Sequence, residues 1–291
     1  MGRQNKTVNP FQKFVARHAQ LFASGKKLPP ANLKKFARQK ISDKAPEALI
    51  FSPHPDDECI TGGLALRLLR EADWNVTNVA VTLGSNRGRQ AARLRELKRA
   101  CASLGFNLVV PGKRALEQVT LNSRNKNPTR WKMSVKLVAK VLAEHSPSVI
   151  FLPHALDGHA AHIGAHYLVM DALKSLPRDF QCFVVETEFW RSMDAPNLLV
   201  ESGIEDVAGL IGALACHVGE VRRNPYHARL PAWLMDNVRR GAELVGGQGG
   251  SSPDFTFGTI YRLGMWRGGR RQDIFTGGKI LNAAESPVGL F

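Results

Sequence analysis

The chain has 291 residues, 44% of them apolar, which is ample for the core of one large domain or two small ones. Lysine and arginine number 40 against 25 acidic residues, a formal net charge of +15 that calls for an explanation in terms of anionic partners. No window approaches the roughly 20 unbroken apolar residues of a membrane span, no apolar signal segment opens the chain, and Cys59, Cys101, Cys182 and Cys216 lack any C-x-x-C spacing, so neither a disulfide framework nor a zinc ribbon is indicated and a cytoplasmic protein is expected.

Residues 1–45 read as a basic arm, in which Lys26, Lys27, Lys34, Lys35, Arg38, Lys40 and Lys44 face a single acid, Asp43. Phe11, Phe14, Val15, His18, Leu21 and Phe22 recur at helical spacing and predict a short amphipathic helix. Such a helix docks on an anionic membrane surface, on a nucleic acid or on the protein's own body. Aromatic interleaving of the kind that serves nucleic acids is weak, so a nucleic-acid partner is not expected, whereas peripheral contact with the inner membrane face stays open.

From Pro46 onward short apolar runs alternate with helical ones. Strands are expected at 48–53, 75–83, 107–110 and 148–153, and helices at 60–72, 90–104, 130–145 and 162–176. This order predicts a Rossmann-like α/β fold, a mostly parallel sheet with helices on both faces. Beyond Cys182 a C-terminal α/β extension follows, with strands near 183–185 and 255–263, helices at 207–217 and 232–244, and a glycine-rich loop at 246–253 that is expected to be flexible and able to close over a site. Residues 46–266 are read as one catalytic domain and 267–291 as a weakly ordered tail. Gly62 and Gly63 do not form a G-x-G-x-x-G loop, and the neighbouring Asp56, Asp57 and Glu58 repel phosphates, which argues against a nicotinamide or flavin cofactor.

Two histidine-bearing loops carry the chemistry. The first, Ser52-Pro53-His54-Pro55-Asp56-Asp57-Glu58, follows the strand-like Ala48-Leu49-Ile50-Phe51, and the second runs from His154 through Asp157, His159 and His162 to His166 after Val149-Ile150-Phe151-Leu152. Neighbouring strands lie only about 5 Å apart, so loops at their C-terminal tips can converge on one ion. His54, Asp57 and His162 supply two imidazoles and a carboxylate, a set that suits catalytic zinc and equally ferrous iron. Asp56 is placed to take a proton from the attacking water as general base, and His159, three residues before His162, to stabilise an oxyanion. Together these parts describe hydrolysis of an amide. Helix capping is the alternative for the Asp56-Asp57 pair, a cap or ion pair the one for Glu58, and a place behind the ligands or in the core the one for His166.

Pro53-His54-Pro55-Asp56-Asp57-Glu58 resembles the P/A-H-P-D-D-E signature of the PIG-L (LmbE-like) family of zinc-dependent de-N-acetylases, and His159-Ala160-Ala161-His162 falls where that family has H-P-D-H. Thr82-Leu83-Gly84 and the stretch Arg93-x-x-Glu96, Ala100, Leu104-Gly105 are also similar to family segments, so the resemblance spans roughly residues 47–220. It implies a Rossmann-type enzyme that removes acetyl groups from N-acetylglucosamine units of glycoconjugate precursors, small or lipid-linked. It also implies His54, Asp57 and His162 as zinc ligands, Asp56 as base, His159 as support for the tetrahedral intermediate and Arg87 as a substrate-binding residue, with Arg89 the alternative. Two departures stand out: Ala161 replaces the aspartate that orients the first histidine, and Ser85 replaces a frequent glutamate. A metal-dependent amidase or esterase on a non-sugar substrate, and a basic binding protein with weakened catalysis, are the rival readings. Glu186 to Trp190, Tyr226 and Trp233 suit sugar stacking or a plain core.

Overall fold

The structure is a computed structural model that describes residues 9–29, 41–112 and 114–291. Lys34, Lys35, Arg38 and Lys40 of the basic arm lie outside the described residues. In chain order the elements are α1 (Gln12–Gly25), β1 (Glu47–Ser52), α2 (Asp57–Ile60), α3 (Gly63–Ala72), β2 (Asn75–Ala80), α4 (Arg87–Leu104), β3 (Asn107–Val109), α5 (Leu121–Lys126), α6 (Pro128–His145), β4 (Val149–Pro153) and α7 (Ala160–Ser175). They continue with β5 (Cys182–Thr187), β6 (Leu198–Glu201), α8 (Ile204–Ala215), α9 (Val218–Arg223), α10 (Tyr226–Leu244), β7 (Gly258–Arg267), β8 (Arg270–Asp273) and β9 (Lys279–Leu281), and a short 3₁₀ turn, Pro287–Leu290.

The strands form one sheet in the order β3-β2-β1-β4-β5-β7-β6-β9, with β8 added to β7. The five strands from β3 to β5 are mutually parallel, β7 runs antiparallel to β5 and β6, and β9 lies parallel to β6. The near-continuous apolar run of β1 follows from burial on both faces. Ala48 and Ile50 pack with Leu64 and Leu68 of α3 and Leu97 of α4, whereas Leu49 and Phe51 pack with Leu142 of α6 and Leu168 of α7. The order of strands reverses between β1 and β4, because the chain runs outward from β1 through β2 to β3 and then returns to the other side of β1. A parallel sheet opens a crevice at that point, beyond the C-terminal ends of the two strands.

Several elements differ from the sequence reading. The helix expected from Ile60 is split into α2 and α3 at Thr61-Gly62, where the Tyr261 hydroxyl of β7 donates to the Thr61 carbonyl (2.8 Å) and accepts the Leu64 N–H (3.1 Å). The strand β6 carries only four residues, too few to show a periodicity. The stretch from Arg267, expected as a weakly ordered tail, instead carries β8, β9 and the final turn, with Leu281 and Leu290 buried. Its polar strand Arg270-Arg271-Gln272-Asp273 owes its place to pairing with β7 rather than to an apolar pattern. Arg67 of α3, only 1% exposed, fixes this segment by donating to the carbonyls of Asn282 (3.2 Å) and Glu285 (2.7 Å).

Candidate active site

The crevice between β1 and β4 opens into a cleft of about 1000 Å³ whose lining includes His54, Asp56, Asp57, His159 and His162. The glycine-rich loop 246–253 does not line it. The chain bends at Pro53 and His54 and then turns sharply at Asp56, whose φ of 116° is left-handed and unusual for a residue with a Cβ. This turn starts α2 without a side-chain cap from Asp56, so the capping alternative does not describe that residue. Asp57 instead turns its Oδ2 back to accept the His54 N–H at 2.7 Å. Glu58, fully buried, accepts the Asp56 N–H at 3.0 Å and is held by the His217 Nε2 at 2.8 Å, which is the ion-pair alternative for this residue.

Around Asp57 the donor atoms converge. His54 Nδ1 lies 3.2 Å from His162 Nε2, and each of them lies 3.5 Å from Asp57 Oδ2. Donor atoms on one tetrahedral zinc at roughly 2.0–2.1 Å stand about 3.3 Å apart, so the triangle has the size such an ion requires. The ligating atoms of His54, His159 and His162 also lie within 4.8 Å of one another, a looser set. We favour the set containing Asp57, because its atoms are closer and the His159 Nδ1 is occupied as acceptor of the Ala161 N–H at 3.2 Å.

The electrostatics agree with cation binding. Burial drives the His162 imidazole below its ordinary pKa, which favours the neutral form that metals take. Burial opposes the charge of Asp57, yet the adjoining His162 and His54 hold its carboxyl below the usual range. Asp56 moves the other way, raised well above its ordinary value by burial and by the neighbouring Asp57, with Arg93 opposing the rise. A carboxylate of raised proton affinity is suited to taking a proton from water. The buried His162 Nδ1 makes no hydrogen bond and faces Asp157 Oδ1 at 3.7 Å, the partner expected behind a ligating imidazole.

Ala161 leaves His159 without a carboxylate from its own turn, and Asp157 does not replace it at the ring. Asp157 accepts the His159 backbone N–H (2.9 Å) and the Trp190 N–H (3.1 Å), tying the loop after β4 to the loop after β5. The His159 ring stacks instead on Trp190, centroids 6.0 Å apart, and since its Nδ1 accepts a backbone N–H, its neutral form carries the proton on Nε2. Phe189 packs edge-on against His162 at 4.6 Å, and both Phe189 and Trp233 line the cleft. His154 is turned away and bonds the Arg191 carbonyl at 2.8 Å, while His166 bonds the Pro153 carbonyl at 2.9 Å, behind the site. Arg87 stands at the rim, its side chain 79% exposed and paired with Glu117 at 2.8 Å, and Arg89 reaches Glu220 at 3.6 Å.

The arginine that reaches the reacting wall is Arg93, whose sequence signal was the R-x-x-E segment but to which no role was given. Thr82 fastens the loop after β2 to the Pro53 carbonyl at 2.7 Å, and Gly84, with φ 86°, follows it. A Cβ on Gly84 would meet Arg93 Nη1 at 2.5 Å, so glycine lets the guanidinium pass and donate to the Pro55 carbonyl (2.9 Å) beside Asp56 Oδ1 (3.5 Å). Glu96 accepts the Gly219 N–H of α9 at 3.1 Å, and α9 brings Glu220 to within 3.8 Å of Arg93.

The PIG-L family model, described as GlcNAc-PI de-N-acetylase, matches residues 49–173. Among solved structures, the conserved protein TT1542 of Thermus thermophilus superposes with a TM-score of 0.56 at 19% identity, over 74% of this chain and 93% of that one. The N,N'-diacetylchitobiose deacetylase of Pyrococcus horikoshii gives 0.55 at 15% identity over 91% and 95% of the two chains. The 4-carboxy-2-hydroxymuconate hydratase of Pseudomonas putida gives 0.54 at 16% identity over 75% and 95%. No curated protein sequence matches the chain. These structures share the fold, with its mostly parallel sheet flanked by helices. Residues 49–173, the span that holds both histidine loops and the central strands, are thus similar to the PIG-L family of de-N-acetylases.

Proposed function

We propose that the protein is a zinc-dependent de-N-acetylase that hydrolyses the acetamide of an N-acetylated amino sugar, N-acetylglucosamine in a glycoconjugate precursor being the substrate class. The observation that carries this reading is the triangle of His54 Nδ1, Asp57 Oδ2 and His162 Nε2, with sides of 3.2, 3.5 and 3.5 Å, beside a second carboxylate that ligates nothing in it. These three residues would hold the ion, and zinc there would acidify a water and polarise the acetyl carbonyl. Asp56 takes the proton of the attacking water and passes it to the departing amine, so that acetate and a free amino sugar leave. His159, protonated on Nε2, donates to the oxygen on which charge develops. Trp190, Tyr226 and Trp233 line the cleft and offer faces for a sugar ring, and Arg87 at the rim is a substrate contact.

The test is release of free amine from N-acetylglucosamine and a panel of its glycoconjugates by zinc-loaded protein, beside Asp56→Asn and a chelated sample. Release that needs both Asp56 and zinc supports the reading, and absence of release across the panel with zinc bound defeats it. A second reading, a metal-dependent reaction on a non-sugar compound, is favoured by one observation: the similar fold of the Pseudomonas putida hydratase. Varying the glycone while keeping the acetamide separates the two.

A further inference from the structure

Among the described residues, the C-terminal end of helix α1 packs against α10. Gly25 sits beside Ala228 of α10, so that a Cβ there would approach the Ala228 Cβ at 3.3 Å, and the Arg229 guanidinium covers the Phe22 ring at 5.0 Å. The apolar stripe that ends in these contacts continues uncovered toward the start of the helix. Phe11 and Leu21 are 69% exposed, Val15 62% and Phe14 61%. These four, with Leu28, make up five of the twelve exposed large apolar side chains among the described residues, gathered within 18 positions. An exposed apolar concentration of this kind marks an interaction surface.

The charge around the stripe names the partner. Lys13, Arg17, Lys26 and Lys27 flank it, and the sequence holds ten basic residues and no acid before Asp43. A second copy of the same helix would set these cations against one another. A nucleic acid would neutralise them but leave the phenylalanine and leucine stripe in water. An anionic lipid surface satisfies both, taking the apolar face into the acyl boundary and the lysines and arginines at the headgroups. We propose that α1 is a lipid-docking helix that seats the protein on anionic membranes. The α10 helix that it touches at Ala228 and Arg229 begins at Tyr226, a residue of the cleft lining, so the anchored end of α1 lies beside the element that borders the cleft. The lipid contact itself does not depend on the de-N-acetylase reading.

The experiment is sedimentation of the full chain with vesicles of phosphatidylcholine, with and without phosphatidylglycerol, needing no substrate. Binding is expected to the anionic vesicles only and to weaken as salt is raised. The variant Phe11→Ser/Phe14→Ser/Leu21→Ser should keep the wild-type melting temperature, since these positions are exposed, and lose about tenfold or more in partitioning. A second variant, Lys13→Gln/Arg17→Gln, should weaken the preference for anionic vesicles while retaining the stripe. Failure to bind either vesicle, unchanged binding by the triple serine variant, or a dimer that the serine variant dissociates in the absence of vesicle binding would each overturn the proposal. So would tight binding of an oligonucleotide that ignores the three serines.

Discussion

Asp56 bears two burdens at once: a left-handed backbone, which costs a bulky residue about 1–3 kcal/mol, and burial of its carboxyl beside that of Asp57. Both are tolerated because Glu58 accepts its N–H and Arg93 reaches its Oδ1. Asp56→Asn keeps the shape and removes the base. Turnover of an acetylated sugar is expected to fall by about 10²–10⁴ while bound zinc per chain, measured by metal analysis, stays at the wild-type level. Glu220 offers a pH test. Burial alone would raise its pKa, but Arg223, Arg93 and Arg89 together hold it below its ordinary 4.5. A carboxyl depressed by folding stabilises the native state above its unfolded pKa, and that contribution is lost as the pH falls through the lower, folded value. Melting curves of wild type and Glu220→Gln should therefore differ by a constant amount near neutrality and converge progressively as the pH falls below 4.5. That His54, Asp56 and Asp57 stand side by side in the cleft was legible because one short turn holds them. Arg93 was not, since its role depends on a path across Gly84 that no local pattern encodes, and His217 comes from an element 159 residues away from Glu58.

At the level of elements, the strands β1 and β4 announce themselves by apolar runs buried on both faces, β2 by Val76 and Val79, and α4 and α6 by length and periodicity. The elements that escaped are short or polar: β6, β8, β9 and α9 take their conformation from the strand or helix they join. Their contribution is open to measurement. Deleting residues 267–291 removes β8 and β9, uncovers the core around Leu281 and Leu290, and leaves Arg67 with a buried guanidinium short of acceptors. Glu71 still pairs with Arg67, but loss of a hydrogen bond to a charged group costs about 1.5–3 kcal/mol before any apolar loss is counted, a large part of a domain's stability. The truncated chain is expected to lack a cooperative thermal transition by circular dichroism, whereas a chain in which 267–291 were only a tail would melt like wild type.

For the whole molecule, the site is a junction rather than a property of one segment. The chain after β1, at the start of α2, supplies His54, Asp56 and Asp57, the chain after β4, at the start of α7, supplies His159 and His162, and the two meet only when the sheet has closed between them. An ion that binds there binds the folded state alone. Zinc at about a hundred times its dissociation constant should stabilise the wild type by about 2.7 kcal/mol in denaturant titrations, and His162→Ala should abolish most of that gain.

The buried guanidinium of Arg67 sets an order of events. It lies on α3, immediately after the turn that holds Asp56 and Asp57, yet two of its acceptors are the carbonyls of residues 282 and 285. Glu71, one turn along the same helix, pairs with the guanidinium at 2.7 Å, but during synthesis these two carbonyls arrive only after more than two hundred further residues have left the ribosome. A nascent chain arrested before that point holds His54, Asp57 and His162 but lacks the segment that packs behind α3, so the frame of the cleft is completed only in the nearly finished polypeptide.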